Sequence, residues 1–210
     1  MISNDLRKRF FSFEGIDFSG KSTQIDLLRK YFEQKGEKVY VLREPGGTVI
    51  SEKIREILLD KKHFNMNERA EMLLFSAARV QLTVEKIIPV LKEGHFVIAD
   101  RFVDSTTAYQ GYGRGLEQEI IGYVNHFATL GLLPCMTFYL RLSPQEAAKR
   151  RLKNNLQTDR LEETGNNFFE NVFKGYEMIS ANNPDRVVII DAAQVIDDIH
   201  RQIIKRIENL

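Results

Sequence analysis

The sequence predicts an α/β protein, a doubly wound parallel sheet of five strands held in three layers between helices. Two observations predict it. Five short, nearly continuous apolar runs recur along the chain, at residues 10–13, 39–42, 96–99, 136–140 and 187–190. Runs without in/out alternation suit strands buried on both faces. Between them lie stretches whose apolar residues return every three or four positions, as helices packed on a sheet require. Strands alternating with helices give the layered architecture.

The elements follow in order. The first run leads through a glycine-rich turn into a helix whose inward face is Ile25, Leu28 and Phe32. The second ends in Arg43-Glu-Pro-Gly-Gly47, residues that turn a chain rather than extend it. Residues 67–93 read as the longest helix, bent or ended near Pro89. The third run stops at Asp100-Arg101. The fourth closes an apolar stretch, residues 127–140, that Gly131 and Pro134 break and that is too short to span a membrane. Residues 149–167 are charged, amide-rich and poor in apolar side chains, which predicts an exposed, mobile lid between helices. The last run precedes a helix with Val195, Ile199, Ile203 and Ile207 on one face.

A chain of 210 residues fits one domain, 1–210. Its net charge of +1 argues against a nucleic-acid coat protein, which would carry a marked basic excess. The one cysteine, Cys135, excludes an intrachain disulfide and a Cys-based zinc site, and reads as a small buried residue at a strand start. The N-terminus lacks the apolar stretch of a signal peptide. The expectation is a cytoplasmic protein with no membrane and no nucleic-acid partner.

The glycine-rich turn carries the strongest chemical signal. Gly15-Ile16-Asp17-Phe18-Ser19-Gly20-Lys21-Ser22-Thr23 contains G-x-x-x-x-G-K-S between an apolar strand and an amphipathic helix. Glycines there let backbone N–H groups turn inward, and the helix N-terminus adds a positive dipole end. Lys21 would reach the β- and γ-phosphates of ATP, and Ser22 would ligate Mg²⁺. The fold is therefore expected to be a P-loop NTPase. A GTPase would also carry an Asn/Thr-Lys-x-Asp element, and a partition ATPase a second early lysine; neither is present.

Two further strand ends bear charge. Asp100 suits a Walker-B role in supporting magnesium, and Arg101 beside it suits a second phosphate, as does Arg43. Two arginines and Lys21 around one crevice exceed the needs of a single triphosphate, which points to a kinase acting on a phosphorylated acceptor. A deoxynucleoside kinase would instead need a carboxylate base at a hydroxyl. A nucleotide-dependent switch protein is the reading from another class.

Phe13-Glu-Gly-x-Asp17, Leu42-Arg-Glu-Pro-Gly-Gly, Leu73-Leu-Phe-Ser-Ala-Ala-Arg79, Asp100-Arg-Phe, Ala108-Tyr-Gln-Gly-Tyr-Gly-Arg-Gly115 and Thr158-Asp-Arg-Leu-Glu162 stand in this order. Together they resemble the thymidylate kinase family, nearly end to end. The resemblance implies phosphorylation of dTMP to dTDP by ATP and Mg²⁺, and a homodimer, for which the apolar-rich residues 73–91 and 116–132 offer a face. It implies that Phe75 stacks on thymine and Arg79, one helical turn on, bonds its O4. It places Asp17 at the sugar 3′-hydroxyl and Arg43 and Arg101 on the acceptor phosphate. Ser105 and Gln110 line the base pocket, and Tyr109 sits against C2′. Where some relatives carry a cation in the loop, this chain has Phe18, so a lid residue is expected on the transferring phosphoryl group. The candidates are Arg150, Arg151, Lys153 and Arg160; Arg150 matches the residue that stacks on adenine, and Lys153 stands with the others for the phosphoryl group.

Overall fold

The structure, a computed structural model, describes residues 4–154, 160 and 166–210. The elements run α1 (Asn4–Arg7), β1 (Phe10–Glu14), α2 (Lys21–Gln34), β2 (Val39–Arg43), α3 (Val49–Leu59), α4 (Glu68–Leu82), α5 (Ile88–Lys92), β3 (Phe96–Asp100), α6 (Val103–Thr106), α7 (Gln118–Thr129), β4 (Met136–Arg141), α8 (Pro144–Asn154), α9 (Asn166–Asn182), β5 (Val187–Asp191) and α10 (Ile196–Ile207). The five apolar runs are the five strands, each extended by one residue at its C-terminal end.

The strands pair in the order β2-β3-β1-β4-β5, all parallel. Successive β1 side chains point to opposite faces and seed two cores. Phe11 and Phe13 pack with Ile98, Phe138 and the inward face of α2 and α10, including Ile25, Leu28, Phe32, Ile199 and Ile203. Phe10 packs on the other face with Val97, Ala99, Leu82, Ile87 and Leu91. Two-sided burial holds for β1 but not at the edge, where Tyr40 and Val41 of β2 are about 40% exposed. Edge strands have fewer neighbours to cover them, so the apolar run there overstated the burial.

Three expectations need adjustment. The helix predicted over 67–93 is one unbroken helical run, capped by the Asn67 side chain, but it contains a π-helical turn at Thr83–Ile87 just before Pro89. Proline lacks the N–H that an α-turn would use, and the wider turn accommodates its ring. Val195 precedes α10 and is exposed, so the buried stripe starts at Ile199. In the predicted lid, residues 149–154 are the end of α8 and 166–167 open α9. Apart from Arg160, the rest of that segment lies outside the described residues. No helix among the described residues is long and apolar enough to cross a membrane.

With β1 central, the chain leaves it for β2 and β3 on one side and β4 and β5 on the other. The crevice at the strand C-termini therefore opens where the order reverses, directly over the turn that follows β1.

Candidate active site

A cavity of ≈ 580 Å³ occupies that crevice, within the range of small-ligand sites. The 15–23 turn forms one wall. Gly15 has φ +131, and a Cβ there would lie 2.6 Å from the Leu140 carbonyl oxygen, so only glycine fits. Phe18 accepts a left-handed φ of 65, and its side chain stays partly exposed, so its bulk does not close the loop. Lys21 is buried, and its ammonium donates to the carbonyls of Gly15 and Ile16 at 3.0 Å each, with Asp17 at 4.0 Å. Burial, and then Arg101, push the Lys21 ammonium down to about 8.

Arg101 is the hub that ties this turn to its neighbours. It has a left-handed φ of 71, and its backbone N–H donates to Phe13. Its Nη1 donates to Gly15 O at 2.9 Å and Ser105 Oγ at 3.2 Å, and Nη2 to Asp17 at 2.6 Å. Burial alone would raise the Asp17 carboxyl, but Arg101 and Lys21 outweigh it and hold it below its ordinary value. The guanidinium also lies over the Tyr109 ring, 5.1 Å from its centroid.

Beneath this hub is a group that stood in the Phe13-Glu-Gly motif without a role assigned to it. Glu14 is fully buried and accepts from Phe102 N–H at 2.7 Å, Ser105 Oγ at 2.6 Å and Tyr176 OH at 2.8 Å. Burial, reinforced by the Asp104 carboxylate, pushes Glu14 up to about 7. It does not line the cavity; its acceptors fix the hydroxyls that in turn meet Arg101.

The remaining candidates divide clearly. Ser22, Thr23, Arg43, Phe75, Arg79, Asp100, Ser105, Tyr109, Gln110 and Arg150 all border the same cavity. Arg43 is half-exposed and paired with Glu52 at 3.3 Å, a contact weak enough to yield to a phosphate. Arg150 donates to Phe18 O at 3.2 Å and Ala192 O at 2.8 Å, which sets it between the loop and the end of β5. Ile16 and Ser19 are buried under the loop. Lys153 is exposed on α8 and is not brought to the cavity, nor is Arg151.

Arg79 differs most from its expected setting. It is 2% exposed and donates to Glu44 at 2.7 Å, Thr106 at 2.9 Å, Asn125 at 3.1 Å and the Phe102 carbonyl at 3.0 Å. A base carbonyl would have to share one of these donors. Arg160, expected in an exposed loop, is buried and bonded to Glu71 at 2.7 Å and Leu58 O at 2.7 Å. A buried carboxylate holds it, and it does not border the cavity.

Arg55, Glu44 and Thr106 border the cavity and were missed. Arg55 had a signal: Ser51, Arg55 and Leu58 share one face of α3, so a cation stood in the inward stripe. Its Nη1 donates to Pro45 O at 3.0 Å, folding α3 back over the turn after β2.

Comparison with known proteins agrees with this geometry. A family model described as thymidylate kinase matches residues 13–203. A thymidylate kinase of Thermoanaerobacter sp. (strain X514) is 47% identical over 199 residues, covering 95% of this chain and 97% of the relative. One of Chlorobaculum tepidum is 44% identical over 207 residues, covering 95% and 96%. The crystal structure of thymidylate kinase from Ehrlichia chaffeensis superposes with a TM-score of 0.77 at 34% identity, covering 95% of this chain and 97% of that one.

Proposed function

The chain belongs to the thymidylate kinase family, and from that premise we propose that it transfers the γ-phosphoryl group of ATP to dTMP, giving dTDP and ADP. One observation carries the reading: the turn with Lys21 borders a single cavity together with three further cations, Arg43, Arg55 and Arg101. The turn suits a triphosphate, and the added cations suit a second phosphate.

The acceptor's second pKa is about 6, so its dianion attacks without a general base. A phosphate oxygen of dTMP forms the new P–O bond as the bond to the β-phosphate of ATP breaks. The chain's part is to align the two in line and to neutralise charge with Lys21 and the arginines. Asp17 holds Arg101 in place, and Phe75 and Tyr109 offer apolar surface for base and sugar. Lys153, Arg151 and Arg160 do not border the cavity, which leaves Arg150 as the α8 cation closest in role to the phosphates.

The donor set fits Mg²⁺. Ser22 and Asp100 border the cavity with hard oxygen atoms, and magnesium is commonly held by one or two carboxylates together with substrate phosphates. When bound, the ion would neutralise charge on the β- and γ-phosphates.

A coupled ADP-release assay against dTMP, dUMP, UMP, CMP, AMP and GMP tests the reading. The expected result is the highest kcat/KM with dTMP, abolished by EDTA and restored by Mg²⁺. A rate no greater than the acceptor-free blank would instead favour a nucleotide switch, and a better acceptor would name another kinase.

We also propose a homodimer. Leu73 on α4 and Tyr123, Phe127 and Leu130 on or beside the adjoining α7 are 55–79% exposed, a large apolar face for a lone chain. Light scattering should give twice the mass of one chain, and Tyr123→Glu with Phe127→Glu should halve it. A wild-type monomer at assay concentration would sink this proposal.

A further inference from the structure

Gln110 borders the cavity from the π-helical segment Thr107–Gly113, and it is 2% exposed. The two ends of a glutamine amide are opposite in chemistry: the nitrogen donates and the oxygen accepts. Which end faces a base decides which base is read. Here the choice is made by a residue outside the cavity. The Gln110 nitrogen donates to Glu71 Oε1 at 2.9 Å. An ionised carboxylate only accepts, so the reverse orientation would set oxygen against oxygen. The carbonyl oxygen is bonded to nothing among the described residues, yet it is not a sealed, unsatisfied atom. With the nitrogen turned to Glu71, which does not line the cavity, the oxygen is the amide end left to face the cavity that Gln110 borders.

Glu71 is kept ionised by its surroundings. It is fully buried on α4, and two arginines reach it: Arg114 through Nε at 3.1 Å and Nη2 at 2.9 Å, and Arg160 through Nη2 at 2.7 Å. Burial alone would raise its carboxyl, but the bonds from Arg114, Gln110 and Arg160 outweigh that and hold it below its ordinary value. The orientation of Gln110 is thus fixed by one carboxylate and two cations, one of them in the segment between α8 and α9.

We propose that Glu71 is a specificity-determining positioning residue, which locks the Gln110 carbonyl toward the base and so selects a pyrimidine bearing a hydrogen at N3. This rests on the reading that Gln110 meets the base of dTMP. Thymine and uracil carry N3–H and donate to that oxygen. Cytosine presents a lone pair at N3, which the oxygen repels. Discrimination against purines is not Glu71's task. Because the Arg79 donors also disfavour the cytosine amino group, releasing Gln110 lifts only part of the discrimination.

The test is the ratio of kcat/KM for dTMP to that for dCMP. In Glu71→Gln the side chain at 71 can donate as well as accept, so Gln110 is free to reverse. The expected result is a fall in the ratio of about tenfold or more, through a higher KM for dTMP and a lower one for dCMP. The KM for ATP should stay as in wild type. Glu71→Asp, still acceptor-only, should keep most of the preference. A Glu71→Gln enzyme that retains the wild-type ratio overturns the inference. Should that variant fail to fold, Glu71→Gln with Arg114→Met removes the stranded cation and carries the same expectation. Gln110→Ala separates the two layers. If it leaves the KM for dTMP unchanged, the base-facing reading fails and the inference with it. If it raises that KM while Glu71→Gln keeps the ratio, only the role of Glu71 fails.

Discussion

Lys21→Ala lowers kcat by on the order of 10³-fold or more and leaves dTMP binding measurable by calorimetry. The expectation comes from position. The Lys21 ammonium is the cation carried by the turn itself, held 3.0 Å from two of its carbonyls at the start of α2. A phosphate chain lying on that turn would meet it as charge builds on the transferring group. The proposed acceptor-side cations are untouched, because Arg43, Arg55 and Arg101 come from other elements that border the cavity. Folding should survive as well. The structure disfavours charge at Lys21, as its depressed pKa of about 8 records, so removing the group relieves a desolvation cost. The measurements are steady-state rates, titration with dTMP, and a melting curve. Wild-type turnover would falsify the phosphate role, and loss of dTMP binding would show that the two subsites are not separable.

Arg79→Ala combines a binding defect with a loss of stability of about 3–5 kcal/mol, the usual cost of breaking a buried ion pair from one side. Glu44 is 5% exposed, pairs with Arg79 at 2.6 Å, and has its other oxygen buried without a partner. Burial already raises its carboxyl despite the arginine. Without Arg79, a carboxylate is left with no counter-charge, and Thr106, Asn125 and the Phe102 carbonyl lose their donor. For a chain of 210 residues the loss corresponds to a fall in Tm of roughly 10 °C. The KM for dTMP should rise far more than that for ATP. Pairing Arg79→Met with Glu44→Gln should recover most of the Tm but not the KM, since it removes the orphaned charge without restoring a donor. Equal effects on the two KM values would count against base reading, and an unchanged Tm against the buried hub.

The two variants show how legible the site was. The phosphate role proposed for Lys21, with Gly15 and Ser22, could be read locally because such a cradle is built from neighbouring backbone and one short helix end. Arg43 and Asp100 were legible for a similar reason, since strand C-termini converge in a parallel sheet wherever the strands fall in the chain. Arg79 was legible only in part. Its spacing from Phe75 gave the shared face, but its partners Glu44, Thr106 and Asn125 lie 35, 27 and 46 residues away. Tyr176 and Glu71 stood in none of the motifs, and Glu14 stood in one, Phe13-Glu-Gly, with nothing to mark its burial. A buried carboxylate looks like any other acid until the groups that bond it are known. Arg160 stood in a segment read as exposed for the same reason, yet it is buried and bonded to Glu71, 89 residues away.

By itself, then, the sequence determined what depends on short-range order. Apolar runs set the five strands, helical spacing set the layers, and the turn at 15–23 carried the proposal of phosphate chemistry. Which charged groups border the cavity and which stand behind it depends on the packing of distant segments. That distinction rests on desolvation and on hydrogen bonds across distant segments. Burial makes Glu14 and Glu71 rigid anchors for Arg101 and Gln110, and leaves Lys153 in water.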